Sequence, residues 1–150
     1  MNVEALLTRE HSVSETIERL IQQASVSFDA ALYRFNSQSL ARALDEAARR
    51  GVRVRLVLDR GKYEESQATR ELLAKDRFPF RLSHGRDGEG SKMHHKFALL
   101  DDAVLLTGSY NWTRGSDKEN YENLLVLREP GVIKIYRREF EALWKDAQPS

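Results

Sequence analysis

The chain has 150 residues, 41% hydrophobic and 31% charged, with no cysteine, and its 24 Lys and Arg against 23 Asp and Glu leave a formal net charge of +1. That length suits a single domain over residues 1–150 whose core needs no staples, and the missing thiols exclude disulfides, thiol nucleophiles, iron–sulfur clusters and cysteine-rich zinc sites. Near-neutral charge means that attraction for a polyanion must come from local patterning, and no apolar run approaches the roughly 20 residues of a membrane span.

The N-terminal ten residues carry Glu4, Arg9 and Glu10 where a signal peptide needs an uninterrupted apolar stretch. The chain as written therefore reads as cytoplasmic, or as periplasmic or secreted if a signal has been removed. Residues 3–8 are strand-like, and Ser12 with Glu15 has capping-box spacing ahead of a helix whose buried stripe is Ile17, Leu20, Ile21 and Ala24. Residues 25–33 alternate as a strand. Ser37 opens a second helix with apolar Leu40, Ala41, Leu44 and Ala48, ended by Gly51 as a left-handed cap. In the next strand Val52, Val54, Leu56 and Leu58 alternate with Arg53 and Arg55, giving one apolar and one partly basic face. A third helix is predicted over 64–75, a short strand over 78–83, and a flexible loop over 85–91. Strands follow at 93–100, 104–107 and 122–127. A last helix begins at Pro130 and presents Val132, Ile135, Tyr136, Phe140 and Leu143 to the core. Strands alternating with helices and then grouped together predict an α/β sandwich, a mixed β-sheet flanked by helices on both faces.

Residues 93–113 hold His94, Lys96, Asp101, Gly108, Ser109 and Asn111 in the pattern H-x-K-x4-D-x6-G-S-x-N. On a strand, His94 and Lys96 project from one face, with His95 and Phe97 on the other. A two-residue hairpin turn at Asp101 and Asp102 would make paired residue numbers sum to 203, setting Ser109 opposite His94 and Thr107 opposite Lys96, with Asn111 on the same face. Imidazole, ammonium, hydroxyl and amide then converge. Such a patch is a phosphate cradle containing a nucleophile: lysine supplies charge, and Ser and Asn supply donors for the charge developing on a phosphoryl oxygen. Asp101, roughly 20 Å along the strand from His94, reads as a turn residue.

Six fixed identities at fixed offsets arise by chance in such a chain on the order of once in a million. The string resembles the signature of the phospholipase D superfamily, and the surrounding sequence looks most like its small bacterial endonucleases with one copy of the motif. Residues 31–35, 47–59 and 121–126 resemble the flanking strands and helix. The resemblance implies a metal-independent phosphodiesterase without cofactor, working through a phosphohistidine intermediate. His94 would attack phosphorus, Lys96 and Asn111 would hold the non-bridging oxygens, Ser109 would support the pocket, and Glu122 would match a carboxylate that orients the imidazole. Because the reaction uses two histidines, one attacking and one donating a proton, a chain with one motif is expected to form a two-fold homodimer with the active site at the interface.

Other readings compete at several positions. His95, His11 and His84 read as packed, surface or loop histidines, and no metal site is expected. Tyr33, Lys92, Trp112 and Arg114 are candidate substrate contacts, while Arg53, Arg55, Arg60, Lys62 and Lys118 are either groove cations or ordinary solvated charges. The expected substrate is DNA or RNA read with little sequence preference, since no base-reading element is evident. The alternatives are a phospholipid phosphodiesterase, disfavoured by the absence of an amphipathic membrane helix, and a non-catalytic dimeric nucleic-acid binding module on the same scaffold.

Overall fold

The structure, a computed structural model, describes residues 2–75, 78–88 and 90–149. The elements in chain order are β1 (Val3–Leu7), α1 (Val13–Gln23), β2 (Ser27–Leu32), α2 (Gln38–Arg49), β3 (Arg53–Asp59), α3 (Arg60–Glu65), α4 (Gln67–Ala74), β4 (Phe80–Ser83), β5 (Lys96–Leu100), β6 (Val104–Gly108), α5 (Ser116–Glu119), β7 (Asn123–Leu127), α6 (Pro130–Asp146) and β8 (Gln148–Pro149). The strands form one mixed sheet in the order β1-β7-β6-β5-β2-β3-β4-β8, parallel at β2–β3 and β3–β4 and antiparallel elsewhere. All six residues of β2 are buried, as expected for a central strand covered on both faces. Val13, Ile17, Leu20 and Ile21 of α1 and Leu40, Ala43, Leu44 and Ala47 of α2 pack on one face of the sheet. Ile133 and Phe140 of α6 pack on the other, against Ala31, Val57, Phe97, Leu99 and Leu105. The predicted α/β sandwich is the observed architecture.

Several local expectations give way to tertiary contacts. Ser12 is the N-cap of α1 but makes no side-chain cap bond; the Asp117 carboxylate accepts the Val13 and Ser14 N–H groups instead, at 3.0 and 3.2 Å, so a distant residue does what the capping box was expected to do. The single helix over 64–75 is two helices broken at Ser66. Its hydroxyl caps α4 by accepting from Thr69 N at 3.1 Å, and Thr69 Oγ1 donates to the Phe35 carbonyl at 2.7 Å, which swings α4 onto the sheet. On α6 the core-facing isoleucine is Ile133, while Ile135 is 56% exposed. Gly51 has φ +98°, the left-handed cap expected of it.

Arg53 and Arg55 are not groove cations. Both reach Asp29, which projects from β2 toward α6 and is fully buried: Arg55 Nε lies 2.8 Å, Arg53 Nη2 3.1 Å and Arg137 Nη1 of α6 2.8 Å from its oxygens. Arg55 and Arg137 continue to Glu141, and Arg137 to Asp102. This network bolts α6 to the sheet.

Candidate active site

The C-terminal ends of β2, β3, β4 and β6 and the N-terminal ends of β5 and β7 share one edge of the sheet. Open α/β sheets present their ligand crevice where parallel strands end. The motif's chemistry collects at this edge, apart from Asp101, which turns the chain at the opposite one.

The hairpin register differs from the expected one. Phe97 pairs with Thr107 and Leu100 with Val104, so paired numbers sum to 204 and the loop is three residues, 101–103. A one-residue slip reverses which face each side chain takes. Thr107 therefore opposes Phe97 rather than Lys96, and Ser109 is not set across a ladder from His94. Asp101 and Asp102 cause the slip by both adopting left-handed backbone, φ 57° and 52°, which short polar side chains tolerate. The Asp101 carboxylate accepts the N–H groups of Ser25, Val26 and Ser27 at 3.1, 2.8 and 3.0 Å. Burial pushes its pKa up, but these bonds outweigh that and hold it below the ordinary 3.8. Its stabilisation is thus present above about pH 4 and is lost as pH falls through the depressed folded value. Asp101→Ala is expected to cost about 1–3 kcal/mol at neutral pH, with the deficit shrinking below pH 4 in urea titrations.

His94 lies just before β5, in an irregular segment rather than on the predicted strand. Asp59 fixes that segment. Buried at the end of β3, it accepts Met93 N at 2.9 Å with one oxygen and caps α3 through Lys62 N at 3.0 Å with the other. Sequence reasoning missed this positioning role, whose one visible signal is a carboxylate closing an apolar strand. Tyr33 N donates to the His95 carbonyl at 2.9 Å, and the Tyr33 ring packs on the His94 ring with centroids 4.4 Å apart. Lys96 Nζ donates to His94 Nδ1 at 3.2 Å and to the His94 carbonyl at 2.9 Å, and it sits 5.3 Å from the Tyr33 ring centroid. Desolvation first, then the positive charges of Lys96 and Lys92, pull the His94 pKa below 6.5 against a smaller opposite effect of Asp59. These effects favour the neutral imidazole. Burial likewise lowers Lys96, with Glu122 opposing and Arg34 adding to the effect. His95 bonds α6, with Nε2 2.7 Å from Glu139 and its ring edge-on to Phe97, and it lines a cleft that His94 also lines.

Gly108 is required by close approach: a Cβ there would lie 2.3 Å from the Asn123 carbonyl oxygen. Ser109 Oγ donates to Glu122 Oε1 at 2.6 Å and accepts from Asn123 N at 3.1 Å. The second Glu122 oxygen accepts from Asn120 Nδ2 at 3.2 Å. Glu122 thus braces Ser109 and acts electrostatically on Lys96; among the described residues of one chain its carboxylate bonds Ser109 and Asn120, not His94. Asn111 lies between the buried Tyr110 and Trp112, and its Oδ1 is buried without a partner among the described residues.

Trp112 is not a substrate contact. It is 1% exposed and packs on Phe28 and Phe35 with centroids 5.8 and 6.4 Å away. Arg114 is exposed on a cleft of about 450 Å³ that Tyr33, Arg34 and Lys62 also line. Lys92 and His94 line a second cleft of about 630 Å³, bounded by α6. The His94–Tyr33 contact therefore stands between two clefts.

A family model described as "Cardiolipin synthase, PLD-like domain" matches residues 17–144. Human mitochondrial cardiolipin hydrolase is 36% identical over 132 residues, 88% of this chain and 51% of that protein. A phospholipase D of Rickettsia prowazekii is 27% identical over 135 residues, 90% and 64% of the two chains. The chain spans about half to two thirds of the length of the curated relatives it matches. Among solved structures, Nuc, a phospholipase D family member from Salmonella typhimurium, superposes with a TM-score of 0.88 at 24% identity over 99% of this chain and 97% of its own. NucT from Helicobacter pylori gives 0.88 at 22% identity over 99% and 100%. A family match running from α1 into α6, on a fold shared from end to end with Nuc and NucT, means that this chain belongs to the phospholipase D superfamily.

Proposed function

We propose that the protein is a metal-independent nuclease that hydrolyses DNA or RNA without marked sequence preference, through a covalent intermediate on His94, as a homodimer. The observation that carries this reading is the His94 imidazole set between two clefts, packed on Tyr33 and with the Lys96 ammonium 3.2 Å from its Nδ1. In the first step a nitrogen of His94 attacks phosphorus, and the leaving alkoxide takes a proton from a second, protonated histidine. In the second step water attacks phosphorus, gives its proton back to that histidine, and releases His94. Lys96 and the Asn111 amide stabilise the non-bridging oxygens, and Ser109 with Glu122 braces the pocket.

Two features support a second copy. One chain offers one motif histidine. In addition, an ammonium only donates, so the Lys96 bond makes His94 Nδ1 an acceptor and leaves the ring proton on Nε2. Attack through Nε2 needs the other tautomer, with Nδ1–H held by an acceptor such as a carboxylate of the partner. A polymer substrate is supported by the exposed cations Arg34, Lys92 and Arg114, which carry no salt bridge among the described residues. No helix among the described residues is long and apolar enough to cross a membrane. The names of the curated relatives favour a second reading, hydrolysis of a phospholipid such as cardiolipin.

A panel of plasmid, single-stranded oligonucleotide, RNA and phospholipid vesicles, incubated in EDTA alongside a solution-mass measurement, separates these. Nicking or strand cleavage by a dimer is expected; headgroup release without nucleic-acid cleavage reverses the choice. Because His94 must be neutral to attack, the acid limb of kcat/KM should fall below pH 6.5, and Lys92→Ala should move it upward by removing one of the charges that depress His94.

A further inference from the structure

Glu65 ends α3 and lines the cleft of about 450 Å³ that Tyr33 and Arg114 also line. Its carboxylate lies 3.0 Å from Lys62 Nζ, and the Lys62 ammonium and the Arg34 guanidinium each stand 5.7 Å from the Tyr33 ring centroid, whose ring touches His94. Lys62 holds the Glu65 carboxyl below its ordinary range, with Arg34 and Lys92 adding to that pull. These same two cations act on the motif pair, Lys92 on His94 and Arg34 on Lys96. The cations are thus one field, with a carboxylate standing in it next to the reaction centre.

Resting on the nuclease reading, we propose that Arg34 and Lys62 form a subsite for the phosphate adjacent to the scissile one, and that the Glu65 carboxylate occupies this subsite until a nucleic-acid strand displaces it. A carboxylate and a phosphate diester are alike in charge and in accepting bonds from guanidinium and ammonium groups. Displacement costs little, because the Glu65 side chain is 67% exposed and a solvated ion pair is weak. The subsite favours a strand over an isolated diester and reads charge, not base identity.

The test compares a dinucleoside monophosphate, a trinucleotide with two phosphates, and bis(p-nitrophenyl) phosphate as a minimal diester. Wild type should show a kcat/KM for the trinucleotide at least about tenfold above that for the dinucleotide. The double variant Arg34→Ala, Lys62→Ala should reduce that ratio to near one, and Glu65→Gln should raise it severalfold by removing the competing anion. A wild-type ratio near one, or a Glu65→Gln ratio at or below wild type, overturns the subsite while hydrolysis of the minimal diester keeps the catalytic reading. Hydrolysis of none of the three esters ends that reading and the subsite with it. A two-phosphate preference found only for cardiolipin over phosphatidylglycerol vesicles overturns the assignment to a strand.

Discussion

His94→Ala is expected to lower phosphodiester hydrolysis in EDTA by about 10⁴-fold or more, because in the proposed mechanism it removes the atom that would form the bond to phosphorus and not merely a contact to substrate. Folding should be intact, since His94 is exposed and outside the regular strand. His95→Ala supplies the internal control. One residue away, it lines the same cleft but bonds Glu139 of α6 and has neither the Lys96 bond nor the Tyr33 ring contact of His94, so its activity should stay within a few-fold of wild type. Lys96→Met should fall between, losing on the order of 10²–10³-fold, the effect typical of removing one donor from developing anionic charge. Equal losses for His94→Ala and His95→Ala would contradict the assignment, as would full activity without His94.

Asp29→Ala is expected to be the most destabilising single change outside the hydrophobic core. A buried ion pair adds little over a well-packed apolar alternative, but removing one partner strands the other's charge, at a cost of about 3–5 kcal/mol. Here one fully buried carboxylate serves Arg53, Arg55 and Arg137 together, and two of the three are themselves mostly shielded from solvent. Its loss leaves converging guanidinium groups under α6 with Glu141 and Asp102 as their remaining ion-pair partners among the described residues. Urea unfolding should report the deficit, and a change below about 1 kcal/mol would mean that the network is not what fastens α6. Bulk α/β content in circular dichroism should persist in the cold, because α1, α2 and the opposite face of the sheet keep their apolar packing.

The architecture was legible because periodicity carried it: the stripes on α1 and α2 and the alternation in β3 are recorded in residue order. What failed were features fixed by partners distant in sequence. The hairpin slipped by one because two aspartates took left-handed conformations, and Asp101 was rewarded by three N–H groups some 75 residues away, which no local pattern announces. Trp112 looked like a substrate contact because it lies beside the phosphate motif, yet its neighbours Phe28 and Phe35 bury it. Arg53 and Arg55 read as either groove cations or solvated charges because their acceptor, Asp29, comes from another strand. The candidate site itself was largely legible, since its residue types sit at fixed offsets in one segment. Asp59 and Glu65 were not, because they arrive from β3 and α3 by way of the fold alone.

Trapping the enzyme during turnover tests the central claim most directly. A phosphoramidate bond survives alkaline denaturation, so a reaction run in EDTA, quenched in base within one turnover and digested should yield the peptide containing His94 carrying the mass of the phosphoryl-linked fragment. That adduct should appear and decay as product forms, and be missing in His94→Ala. Turnover with no adduct on His94, or turnover that stops when divalent metal is removed, would contradict the account.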